Sequence, residues 1–192
     1  MELQHVAIKI FLRHAVDLSP FVGIFNGWIQ TQWTPELLVD VADYQHVYAG
    51  PGVILIGHEA NYALDNTDNR LGLLYTRKAR VEGAAQEALQ QAARAVLLAA
   101  HRLERENGVA FDPGNVQIIV NDRYLAPNSP ETLARLKPEL EAFLQRWYGG
   151  AAFTWSTPAD PRERFAVTIT VQGDVSLANL LYNLGVEETV IA

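Results

Sequence analysis

The stretch GPGVILIGHEANYALD, Gly50 to Asp65, carries the first residues equipped for chemistry. Four apolar residues, Val53 to Ile56, run into Gly57, His58 and Glu59. An imidazole beside a carboxylate is the raw material of acid–base catalysis or of a metal site. Adjacent strand residues point to opposite faces, so the pair can cooperate only if the chain bends at Gly57 or Ala60. Upstream, His46 follows Asp43 by three residues and Asp40 by six. Two histidines and a carboxylate can hold a divalent cation. The Asp-x-x-Asp-x-x-His spacing is helical, however, in a segment that reads as strand and turn. Asp43, Tyr44 and His46 are therefore expected to make turn hydrogen bonds, and neither a metal nor a cofactor is expected. His46, His58, Glu59 and Asp43 form the acid–base set of an alternative, enzymatic reading.

Other chemistry is sparse. Asp65-Asn66-Thr67-Asp68-Asn69 has the polar look of a calcium loop, but it lacks the glycine at position six and the glutamate at position twelve, and reads as a turn. There is no cysteine, no G-x-S-x-G elbow and no G-x-G-x-x-G phosphate loop. Ser19 and Ser129 each precede a proline and read as helix caps. Arg13 and Arg123 each follow a strand and precede a helix. Together they can hold a carboxylate or phosphate; alternatively each braces its loop through Asp17 or Asp122.

The segment Phe21 to Trp33 presents a different kind of surface. It is helical in pattern and apolar nearly all round, with Phe21, Phe25, Trp28 and Trp33 and with Gly23 and Gly27 four residues apart. So much aromatic surface must be covered by the sheet, by a second subunit or by a ligand. Part of this helix is expected in a self-association interface.

The elements that must position these residues follow from periodicity. Residues 4–12 alternate, with Val6, Ile8 and Ile10 on one face and Ala7, Lys9 and Phe11 on the other. Residues 37–41 read as a short strand and 47–58 as a longer one bent at Gly50-Pro51-Gly52. Residues 62–64 and 71–76 read as an interrupted return strand. Residues 83–106 form the clearest helix, with Leu89, Ala92, Val96, Ala99 and Leu103 on one stripe and Asn107-Gly108 as its stop. A strand at 116–120 is followed by a helix at 130–148 that Pro138 should kink or split. A hairpin over 152–155 and 164–171 and a short helix at 176–184 complete the chain.

VAIKIFLRHAVDLSP, Val6 to Pro20, aligns without gaps on VQIIVNDRYLAPNSP, Val116 to Pro130, at a constant offset of 110 with five identities in 15 positions. Each junction opens a strand–helix–strand–strand unit, so two halves, 4–58 and 114–172, are expected around an insert at 60–110 that adds a strand and the long helix. The expected fold is α+β, a single domain with a mainly antiparallel sheet built from two such units.

In its order of elements this arrangement resembles the gyrase-inhibitor-like effector-binding domains and the SOUL haem-binding proteins. That resemblance implies pairing of the two units about a pseudo-twofold axis, with a groove between them for small, often apolar or aromatic ligands. The GPGV-LIGHE-NY-LD and NDR-LAPN stretches also resemble a bacterial family that brings no function with it.

Composition sets the outer bounds. The 192 residues include 22 acidic and 15 basic ones, a net charge of −7, which argues against a nucleic-acid partner. Without cysteine there are no disulfides and no thiolate metal sites. MELQHVAIKI has neither the basic start nor the apolar run of a signal peptide, no segment is apolar for long enough to span a membrane, and a cytoplasmic location is expected. The reading that results is a non-catalytic module that binds a small apolar or anionic ligand, or a protein partner, and self-associates.

Overall fold

The computed structural model describes residue 3 and residues 5–187. Eight strands form one antiparallel sheet: β1 (Val6–Leu12), β2 (Leu38–Tyr44), β3 (Gly52–Gly57), β4 (Ala60–Asp65), β5 (Gly72–Arg77), β6 (Phe111–Val120), β7 (Phe153–Ser156) and β8 (Ala166–Val171). Their spatial order is β2-β3-β4-β5-β1-β6-β8-β7. Four helices accompany them: α1 (Ser19–Thr31), α2 (Ala85–Asn107), α3 (Pro130–Trp147) and α4 (Leu177–Asn183). The fold is α+β. No described helix is long and apolar enough to cross a membrane.

Alternation along the strands decides which face the helices take. Val6, Ile8 and Ile10 of β1 join Leu73 and Tyr75 of β5, and Val116, Ile118 and Val120 of β6, in one buried cluster. The stripe of α2, Leu89, Ala92, Val96, Ala99 and Leu103, closes over it. Its alanines let the helix axis sit close to the sheet. α1 packs at the far end, on β2 and β3. The opposite residues of β1, Ala7, Lys9 and Phe11, lie on a face that no helix covers. Ala7, Ile119 and Ala166, with Leu74 beside them, form a small separate apolar cluster there. At the centre of the sheet β1 and β6 run antiparallel, with Ile8 directly opposite Ile118.

Several elements differ from expectation for local reasons. Residues 47–58 are not one strand: a turn ending at Gly50 separates β2 from β3, and β3 starts only at Gly52. Gly52 sits at φ +64°, where a Cβ would lie 2.0 Å from the Leu64 carbonyl oxygen, so the chain reverses there and no side chain fits. The expected single return strand is two strands, β4 and β5, joined through a 3-10 turn at Thr67–Asn69, so the insert contributes two strands. Pro138 leaves α3 unbroken. Pro138 and Ala134, whose carbonyl loses its intrahelical donor, both lie on the exposed side, open to solvent. Ser129 caps α3, accepting from the Thr132 N–H at 3.3 Å. Ser19 does not cap α1. Its own N–H and hydroxyl donate to Asp17, at 3.0 and 2.9 Å.

Candidate functional site

The uncovered face of the sheet carries a groove centred on Lys9. Strand registry sets Lys9 between Leu74 on β5 and Gln117 on β6, with Thr168 of β8 beyond Gln117. The apolar cluster of Ala7, Ile119 and Ala166 continues the floor. Phe11, two residues along β1, lies opposite Gly72.

A lysine at the centre of a sheet face is ordinarily exposed, yet this side chain is only 4 % accessible. It lies across Gly72, where a Cβ would come within 2.9 Å of the Lys9 Cε, and its Nζ reaches Asp65 on β4 at 2.6 Å. Asp65, itself 6 % accessible, is held by the Thr67 N–H at 3.2 Å and the Thr67 hydroxyl at 2.8 Å. Lys9 has a single hydrogen-bond partner among the described residues, although an ammonium has three N–H donors. Burial pulls its pKa below the ordinary lysine range, and the neighbouring Asp65 carboxylate only partly offsets that pull.

Above this pair the structure leaves a cavity of about 240 Å³. Arg70, Arg123 and Arg164 line it together with Asp68 and Glu163. The Arg70 guanidinium stacks 3.8 Å from the centre of the Phe11 ring and donates to Asn115 Oδ1 at 3.4 Å. Arg164 donates to Asn121 Oδ1 at 2.7 Å. The wall over residues 158–164 is fixed by Asn128, whose amide donates to the carbonyls of Pro158 and Asp160, each at 2.9 Å. With Lys9 and Asp65 neutralising each other, three arginines face two carboxylates. An anion is therefore favoured there.

A second cavity of about 450 Å³ adjoins the first and shares Phe11 and Arg70 with it. Arg13 lies on its wall, donating from Nε to the Phe111 carbonyl at 2.7 Å. Arg13 and Arg123 thus line neighbouring cavities that share the Phe11–Arg70 stack. Neither pairs with its neighbouring aspartate among the described residues: Asp17 accepts from Ser19, and Asp122 accepts from the N–H groups of Tyr124 and Leu125.

The histidines lie elsewhere. His58 Nδ1 is 3.4 Å from Glu59 Oε1 in an exposed turn, while Glu59 also accepts from the Leu37 N–H at 3.3 Å. His46 packs near the Tyr44 ring, and Asp43 accepts from the Gln45 N–H at 2.9 Å, which is turn bonding. Registry puts Tyr44 against Gly52 and Leu38 against Gly57, so His46 and His58 stand at opposite ends of the β2–β3 hairpin. A six-residue strand separates them by roughly 15–20 Å. No cluster of three or more histidine, aspartate or glutamate residues suited to a metal occurs among the described residues.

The aromatic helix faces inward. Phe21, Phe25 and Trp28 are buried, and Trp33 is half-buried against Trp28, with ring centres 4.7 Å apart. Gly23 and Gly27 face open space. Beneath this cluster Glu36, 5 % accessible, accepts from the Tyr62 hydroxyl at 3.2 Å and the Tyr75 hydroxyl at 3.0 Å. Gln91 donates to the same Tyr75 hydroxyl at 2.7 Å. Burial pushes Tyr75 up to about 12 and raises Tyr62 further. This network ties β4, β5 and α2 together inside the core.

Sequence reasoning missed Lys9 and Asp65. One signal was available: a lysine flanked on its own strand face by Ala7 and Phe11, apolar on both sides. No protein-family model matches the chain, and no curated protein is significantly similar to it.

Proposed function

We propose that this chain is a binding module for a small anionic ligand, taken into the groove on the uncovered face of the sheet. The observation that carries the reading is the Lys9 ammonium at the floor of a cavity, with one hydrogen-bond partner among the described residues and three arginines lining the same cavity. The cavity's 240 Å³ is the volume of about eight liquid waters, below that of a drug-sized pocket, so the ligand is a small carboxylate or phosphate. Its apolar part lies on Leu74, Ile119 and Ala166. Benzoate, succinate and inorganic phosphate, each tested against a neutral amide or alcohol of similar size, provide the test by thermal shift and by amide NMR. Anions should raise the melting temperature and move the signals of β1 and β6 more than neutral analogues do. Equal or absent responses would remove the reading.

The resemblance to effector-binding domains belongs to the same proposal. It is supported by the strand order, in which β6-β8-β7 mirrors β1…β3-β2 once the inserted β4 and β5 are set aside. The pairing of Ile8 with Ile118, residues that the 110-residue offset makes equivalent, also favours it. Self-association is the remaining part. Leu37 and Val39, 57 % and 58 % exposed, lie at the edge strand β2 and favour a second copy as the partner. A cytoplasmic location completes the reading, on the ground that a chain without cysteine needs no oxidising compartment.

A further inference from the structure

We propose that Lys9 is a nucleophilic amine that captures a small oxo acid in this groove as a protonated imine. The inference rests on the anion-binding reading of the same site and goes beyond it to a covalent step. Three observations carry it. The amine is buried against a carboxylate 2.6 Å away, yet it lines a cavity large enough for a small metabolite. It spends one of its three donors on the described residues. The charged groups facing that cavity, Arg70, Arg123 and Arg164 against Asp68 and Glu163, favour an acid group on whatever brings the carbonyl. The lowered pKa of Lys9 is consistent with this role, because the free amine is the attacking form.

The step balances without an oxidant or reductant. Asp65 takes a proton from the Lys9 ammonium, and the freed Nζ forms a bond to the carbonyl carbon. The carbonyl π pair moves to oxygen, which takes that proton back. The nitrogen of this carbinolamine adduct still holds two protons and the positive charge; it passes one of them through Asp65 to the hydroxyl, which leaves as water while the freed nitrogen lone pair makes the C=N bond. The net change is ammonium plus carbonyl giving protonated imine plus water. One positive charge remains beside Asp65, so the buried ion pair survives the reaction rather than being broken by it.

The chain has three lysines, Lys9, Lys78 and Lys137, and the last two are exposed, so the wild-type protein supplies its own controls. Folded protein is treated with glyoxylate and cyanoborohydride at neutral pH, and the reduced adduct is mapped by peptide mass spectrometry. Burial lowers the amine pKa and so raises the fraction of free amine at neutral pH, and the Lys9 adduct is expected to form measurably faster than either control. Butanal, which lacks the acid group, should show a smaller preference for Lys9. If Lys9 reacts no faster than Lys78 and Lys137 while glyoxylate still raises the melting temperature, the imine is wrong and anion binding stands. If glyoxylate does neither, both readings fall. If butanal labels Lys9 as well as glyoxylate does, the acid requirement is wrong.

Discussion

The ammonium of Lys9 and the carboxylate of Asp65 meet at 2.6 Å although they belong to strands that are not neighbours: the lysine on β1 crosses the whole width of β5 to reach β4. Both groups are nearly inaccessible. Removing one partner strands a buried charge, at a cost of about 3–5 kcal/mol, whereas replacing both with apolar residues of similar size is neutral or stabilising. Asp65→Ala should therefore lower the urea unfolding free energy by that amount. The double change Lys9→Met with Asp65→Leu should recover most of it and lose the response to anions. A small loss for Asp65→Ala would show that water already reaches the pair.

The crossing depends on Gly72. A Cβ there would stand 2.7 Å from the Ile10 carbonyl oxygen and 2.9 Å from Lys9 Cε. Gly72→Ala should cost about 1–3 kcal/mol through overpacking. Because the flexible lysine moves more easily than the backbone, anion-induced thermal shifts should weaken together with stability. Unchanged shifts in the destabilised variant would separate the glycine from the site.

Stability at alkaline pH should follow two opposed groups. Lys9 has a folded pKa below its ordinary value, so the unfolded chain binds more protons in the window up to about 10.5, and stability rises with pH through that window. Tyr75 is raised to about 12, so its contribution is complete below the ordinary tyrosine pKa of about 10 and is lost as pH climbs to 12. Tyr62 and Tyr148, both raised by burial, steepen the fall. Urea titrations across this range should give a maximum near pH 10. Lys9→Met should remove the rising limb, and Tyr75→Phe should soften the falling one.

Strand alternation made β1 and β8 legible because each has one face in the core, and the stripe of α2 was legible for the same reason. What stayed hidden depends on long-range closure. Lys9 reads as a solvent-facing residue until Asp65, 56 positions away, is brought beside it. Asp65 reads as part of a polar turn because Thr67 does bond to it locally. Residues 47–58 gave one apolar strand because Gly50-Pro51-Gly52 permits a bend as well as a break, and only the approach of the Leu64 carbonyl to Gly52 decides between them. Aromatic composition marked α1 as buried surface without saying what buries it. That answer lies in the packing of α1 on β2 and β3 and in contacts with Tyr62, on a strand about 35 residues later.

Trp28 tests that last point. It is 2 % accessible and is enclosed by Phe25, Trp33 and Tyr62, with ring centres at 5.4, 4.7 and 6.5 Å, and by the Arg102 guanidinium at 5.3 Å. Truncating a buried aromatic of this kind costs about 3–5 kcal/mol. Trp28→Ala should thus lower the unfolding free energy by that amount while leaving the sedimentation coefficient of the folded fraction unchanged. Val39→Lys, on the edge strand β2, should do the opposite. Its side chain is already in water, so stability should hold, and any association through that edge should be lost because a lysine there opposes strand-to-strand pairing. Sedimentation of both variants beside the native protein, with circular dichroism to confirm folding, separates the two surfaces. Dissociation by Trp28→Ala without loss of stability would return α1 to the interface and remove β2 from it.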